Sequence, residues 1–161
     1  NAAAALAAVE GFLAQGPLSE DLVRDGFAMA DSPGRLEVVR HAPTIILDGA
    51  HNPAGAAAAA AAVTEAFFFE RLIGVVAILN DKDAEGVLSA FEPVLTSVII
   101  TENSSPRSMA SGDLAEIAEE IFGRERVFVE KRMDDAVERA VAFAESGDQD
   151  EGGEGRGTGR P

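Results

Sequence analysis

The chain has 161 residues, about one domain's worth, and its 28 Asp and Glu against 13 Lys and Arg give a formal net charge of −15. That surplus excludes a phosphate-binding nucleic-acid surface, which needs clustered Lys and Arg, and the absence of cysteine excludes disulfides and thiolate metal sites. Only two histidines are present, His41 and His51, too few for a histidine-rich metal centre, and no apolar run reaches the roughly 18 residues of a membrane span.

The chain opens on Asn1 without a basic leader region, so a cytoplasmic location is expected. Residues 1–14, NAAAALAAVEGFLA, have high helix propensity, with Leu6, Val9 and Leu13 on one face. Gly16-Pro17 breaks that helix. A second short helix follows in LSEDLVRDGFAMA, where Ser19 can cap and acidic residues fill the first turn. Asp31 to Gly34 reads as a turn. From Arg35 the pattern changes to strands near 36–40 and 44–48, joined through His41-Ala42-Pro43. TIILD is apolar without alternation, as in a strand covered on both faces. A helix from Pro53 to about Phe69 comes next, then a continuous apolar strand over 72–80 and a helix in DAEGVLSAFEPVL. A strand over 97–101, a helix stopped by Gly123, a strand over 126–130 and a helix in MDDAVERAVAFAES complete the series. The expected fold is α/β: a mainly parallel, doubly wound, Rossmann-like sheet with helices on both faces, preceded by a helix pair from an adjoining domain. The expected division is 1–32 for the helix pair, 33–145 for the α/β domain, and 146–161 for a Gly-rich acidic tail or linker too polar to order itself.

Ligands of such sheets sit at the carboxyl ends of the strands. Asp48, the run Asn80-Asp81-Lys82-Asp83, Thr101-Glu102-Asn103 and Glu130-Lys131-Arg132 all fall there. The stretch ILDGAHNPAG, residues 46–55, is the most informative. Asn52 suits an N-cap and Pro53 the first helical position, so a helix begins directly behind His51 with N–H groups that favour an anion. A carboxylate for a sugar hydroxyl, an imidazole and a helix N-terminus together suit a nucleotide. On spacing alone a strand-end cap at Asp48 and an idle loop His51 are the commoner readings. Asp81-Lys82-Asp83 can simply be an N-cap with its first turn, and Arg35 by itself reads better as a solvated arginine. No phosphate-loop pattern G-x-x-x-x-G-K-[ST] occurs. The acid pairs Glu119-Glu120 and Asp134-Asp135 read as solvated helix faces, and Phe67 to Phe69 as core or interdomain packing.

DGAHNPAG resembles the C-terminal-domain signature of the folylpolyglutamate synthases and dihydrofolate synthases, a branch of the Mur-ligase-like ATP-dependent amide ligases. NAAAALAAV resembles the helix closing that family's central ATPase domain, and SPGRLEV the junction into its C-terminal domain. ILNDKD and TENSSPRS resemble its next two strand-end loops, in the same order.

The resemblance implies an adenine-reading role for Asn1, a phosphate-reaching role for Arg35, ribose binding by Asp48 and approach to the terminal phosphates by His51. It places Lys82 and Asp83 near the reaction centre and gives Arg107 a part in binding the incoming glutamate. It further implies ATP and Mg²⁺, with the metal ligands and phosphate loop in an N-terminal domain in cis, folate or dihydropteroate and L-glutamate as substrates, and a monomer. A final strand is expected to follow the Gly-rich segment, and without it one sheet edge would stand open. The competing readings are a different Mur-type ligase and a non-catalytic nucleotide- or protein-binding α/β module.

Overall fold

The computed structural model describes residues 2–14, 16–30 and 32–146, which divide into two units between Pro33 and Gly34. The first unit holds α1 (Ala2–Leu13) and α2 (Glu20–Ala28). Ser19 caps α2 by accepting from the Leu22 amide, and Glu20 and Asp21 fill the first turn, where acidic side chains complement the helix dipole. The link between the helices is fastened where the Leu18 amide donates to Glu10 Oε1 at 2.9 Å.

The second unit contains β1 (Glu37–His41), β2 (Thr44–Leu47), α3 (Pro53–Ala66), β3 (Ile73–Val76), α4 (Ala84–Phe91), β4 (Ser97–Ile100), α5 (Ser111–Phe122), a 3-10 turn (Arg124–Arg126), β5 (Val127–Val129) and α6 (Met133–Ser146). Three strands form a parallel sheet in the order β3-β4-β5. Val98, Ile99 and Ile100 of the central strand are fully buried. Because side chains alternate along a strand, Val98 and Ile100 face one layer. They share a core with Val87 and Leu88 of α4 and Leu114, Ala118 and Phe122 of α5. Ile99 faces the opposite way, toward the layer in which α6 packs on β3 and β4. Helices therefore cover both faces, as the alternation of elements anticipates.

The sheet is smaller than the sequence suggests. The stretch around 44–48 does not join the parallel sheet: among the described residues β2 pairs with β1 alone, antiparallel, through Val38 opposite Ile46 and His41 opposite Thr44. His41 belongs to β1, so the turn shrinks to Ala42-Pro43. The apolar run suggests a strand covered on both faces, yet Thr44 and Leu47 are exposed. A cleft of about 220 Å³ opens between the β2 and β3 regions, lined by Ile46, by Ala59, Ala60 and Val63 of α3, and by the whole of β3. A second cavity of about 300 Å³ lies at the amino end of β3, bounded by Pro43, Thr44, Phe67 to Leu72 and Ala144. Helix α3 stops at Ala66, short of the expected Phe69. Phe67 is half-buried, whereas Phe68 is fully exposed and Phe69 exposed, so of the two readings of this stretch, core or interdomain packing, the core one does not hold for Phe68 and Phe69. The 72–80 stretch is strand only as far as Val76, and Leu79 forms an isolated bridge to Ser108. Residues 147–161, most of the expected tail, and Asn1 lie outside the described residues.

Candidate functional site

The loop after β2 is built on Asp48. Its Oδ1 accepts from the Ala50 amide at 2.8 Å and its Oδ2 from the Leu36 amide at 3.0 Å. The Gly49 amide donates to the Gly34 carbonyl at 2.7 Å. These bonds staple the turn at Gly34 to Leu36 onto the Asp48 loop. Arg35 sits between the two anchors, Gly34 and Leu36, both at positive φ, +69° and +46°. Glycine meets that conformation at no steric cost, whereas Leu36 is held there against its preference. Arg35 is exposed and forms no ion pair among the described residues. Its main chain is fixed while its guanidinium stays uncommitted.

His51 follows in the same loop. Its Nδ1 lies 2.9 Å from the Gly49 carbonyl oxygen, and since a carbonyl only accepts, Nδ1 carries the proton. Nε2 is left for a ligand. Asn52 caps α3 by accepting from the Gly55 amide at 2.8 Å, and Pro53 fills the first helical position. The capping leaves the helix end a poorer anion site than the sequence suggests. Pro53 has no N–H, the Gly55 amide goes to the Asn52 side chain and the Ala56 amide to the Asn52 carbonyl, so Ala54 retains the unspent donor of that turn.

The next loop lies against this one. A Cβ added at Gly86 would come within 2.5 Å of Pro53 Cγ, so the first turns of α3 and α4 touch, and that closeness requires glycine. Asp83 caps α4 by accepting from the Gly86 amide at 2.9 Å. Asp81 faces two cations: its Oδ1 accepts from Arg107 Nη1 at 3.2 Å, and its Oδ2 lies 3.4 Å from Lys82 Nζ. Partial desolvation works against the Asp81 carboxylate, but Arg107, a main-chain hydrogen bond and Lys82 outweigh it and hold the group below its usual value. Arg107 comes from the loop after β4. That loop is clipped to the 78–80 segment by Met109 N to Ile78 O at 2.8 Å and Asn80 N to Arg107 O at 2.9 Å.

Arg35, Asp48, His51, Lys82, Asp83 and Arg107 thus occupy loops joined in one chain of contacts at the carboxyl ends of β2, β3 and β4. Asn1 lies outside the described residues. Arg132 is turned away, pairing with Asp134 at 3.3 Å and Asp135 at 3.6 Å, and Thr101 is buried with its hydroxyl donating to the Lys131 carbonyl. Glu102 serves the fold: its Oε1 accepts from both the amide and the hydroxyl of Ser111, capping α5 where Ala110 has no side-chain acceptor to offer. Those two bonds hold the Glu102 carboxyl below its ordinary value, with partial desolvation opposing and Lys131 assisting. Sequence reasoning missed two features. The link from Asp81 to Arg107 spans 26 residues of sequence, and the cap from Glu102 comes from the preceding loop. A helix start with alanine at the cap position was the available signal for the second.

A family model described as the Mur ligase glutamate ligase domain matches residues 34–149. Among curated proteins, the dihydrofolate synthase/folylpolyglutamate synthase of Mycobacterium tuberculosis is 47% identical over 148 residues, covering 90% of this chain and 30% of the relative. Among solved structures, M. tuberculosis folylpolyglutamate synthase complexed with ADP and AMPPCP superposes with a TM-score of 0.87 at 46% identity, covering 91% of this chain and 33% of the other. E. coli FolC in complex with DHPP and ADP superposes with a TM-score of 0.76 at 29% identity, covering 89% and 33%. The chain spans about a third of the length of these relatives.

Proposed function

The chain belongs to the Mur ligase family, as its glutamate ligase domain, and on that premise we propose that it is the C-terminal part of an ATP-dependent amide ligase adding L-glutamate to folate or dihydropteroate. The reaction runs in two steps. A substrate carboxylate oxygen attacks the γ-phosphorus of ATP, forming an acyl phosphate and releasing ADP. The glutamate amine then attacks the acyl carbon, the C–O bond to phosphate breaks, and an amide and inorganic phosphate leave.

The observation that carries this reading is the stapled pair of turns: Asp48 fixes the Arg35 turn and the His51 loop in one piece. In the proposed mechanism Arg35 brings its uncommitted guanidinium to the ATP phosphates, where charge spreads over the transferring group. His51 presents Nε2 toward the terminal phosphates. Asp48 retains lone pairs beyond its two main-chain bonds, enough to accept from ribose hydroxyls. Asn1 reads the adenine. Lys82 stands near the reaction centre beside Arg107, which takes a carboxylate of the incoming glutamate. Asp83 supports that site from its cap, holding the α4 end in place.

The described residues do not fit the magnesium ion that such ligases use: among them no three His, Asp or Glu side chains converge. The metal and the phosphate cradle are therefore assigned to an N-terminal ATPase domain in cis. We take the assembled ligase as a monomer working in the cytoplasm.

The test is a ligation assay on the full-length ligase carrying this chain. Arg35→Ala should lower kcat by about 10²–10³-fold, the scale of losing one preorganised charge-stabilising donor. Asp48→Ala should raise KM for ATP. Wild-type rates in both variants would refute the proposal, as would phosphate release by the 161-residue chain alone.

A further inference from the structure

We propose that Asp81 is a positioning residue: its carboxylate holds Lys82 and Arg107 side by side so that both cations face one dicarboxylic amino acid. The inference rests on the ligase reading above and adds a residue to which that reading gives no part.

Each oxygen of Asp81 engages a different cation, Oδ1 with Arg107 and Oδ2 with Lys82. One carboxylate thereby spaces an ammonium and a guanidinium, while most of their N–H donors remain unspent. The two cations reach it from loops after different strands. The Lys82 turn is closed by its amide donating to the Leu79 carbonyl at 3.0 Å. The Arg107 loop has its own internal frame: Ser105 N donates to Asn103 Oδ1, Asn103 N to Ser108 Oγ, and Arg107 N to Ser105 Oγ. Asn80 then joins the loops, its Nδ2 donating to the Ser108 carbonyl at 3.3 Å.

Main-chain bonds therefore hold the loops together, and the ion triad is not needed for that purpose. Its side chains are 48% (Asp81), 34% (Lys82) and 65% (Arg107) exposed, a range in which ion pairs add little to stability. What the triad does fix is the direction of two long, flexible cations. Asp83, the neighbouring carboxylate, is committed to the Gly86 amide and cannot serve in its place.

Two experiments test the proposal. In the 161-residue chain, L-glutamate is titrated while following the Arg107 Nε–H and the amides of 79–82 and 105–108 by NMR, with L-glutamine and inorganic phosphate as comparison ligands. Asp81→Asn should weaken glutamate binding about fivefold or more and shrink the preference for glutamate over glutamine, while amide shifts elsewhere stay in place. Asp81→Glu should recover most of the affinity. In the full-length ligase, Asp81→Asn should raise KM for glutamate about tenfold, leaving kcat and KM for ATP within about twofold. Equal or tighter glutamate binding by Asp81→Asn overturns the proposal, because Asp81 would then be idle or a competitor of the ligand. A loss confined to kcat overturns it as well, as does phosphate shifting the same resonances as strongly as glutamate. A ligase without glutamate-dependent turnover would refute the function proposed above, while the titration still decides the role of Asp81.

Discussion

At the scale of single residues, carboxylates sort by what they hold. Asp48 holds two main-chain amides, Asp83 and Glu102 each hold a helix start, and Asp81 holds two cations. The bonds of the first three shape the loops at the strand ends, and Asp48 keeps lone pairs beyond them. Glu102 carries a pH dependence. Its folded-state value lies below the ordinary 4.5, so its contribution to stability is present above that value and is lost as pH falls through the folded one. Glu102→Gln should therefore lower the thermal midpoint at pH 7, and the gap from wild type should close as pH drops below 4.5. Circular-dichroism melts from pH 7 down to about 3 would measure the gap. A gap constant across that range would show that the charge of Glu102 contributes nothing.

At the scale of elements, helices were more legible than strands. Helix α5 runs from Ser111 to Phe122 and stops at Gly123, at φ +81°, and α6 runs from Met133 to Ser146, both as the sequence suggests. Each carries several turns of periodic apolar residues and a terminator. The strands are three to five residues long, too short for a pattern to name its neighbour. TIIL is equally compatible with a parallel and an antiparallel partner. The partner it has, β1, could be recognised only from the turn between them. Arg126 shows a related gap. Its guanidinium reaches back over 31 or more residues to the carbonyls of Glu92 and Leu95, at 3.0 and 2.6 Å, and pairs with Glu92 Oε1. It thereby satisfies the carboxyl end of α4, whose last turn has no basic residue. The helix contact at Gly86 gives a sharp test at this scale. Gly86→Ala should cost about 1–3 kcal/mol, because its Cβ meets Pro53 and Asp83 within van der Waals distance. Gly112→Ala, in the first turn of α5 with nothing within 4 Å, should be neutral or stabilising. Urea midpoints of the two variants would separate them, and matching midpoints would remove Gly86 as a packing constraint.

At the scale of the whole molecule, the α/β class, the parallel strands and the two helix layers follow from the alternation of elements. The place of β2 does not, and neither does the cleft beside it. Among the described residues β3 is bonded to one neighbour, β4, in the register Ile73 opposite Ser97 to Val76 opposite Ile100. The carbonyls of Leu72 and Val76 point to the β4 side, where they accept from Thr96 and Thr101. Main-chain direction alternates along a strand, so the amides of Ile73 and Val75 point into the cleft toward β2.

That geometry divides one sheet into two kinetic classes. In D₂O the amide protons of Ile73 and Val75 should exchange at least about tenfold faster than those of Val98 and Ile100, since they can exchange without opening a ladder bond. Residue-resolved exchange by NMR reads this directly. Equal protection would mean that the cleft is closed in solution. Under the expected pattern, a strand at the centre of the fold's length behaves toward solvent as its rim, and the slow-exchanging heart of the domain shrinks to β4 and the helices that cover it.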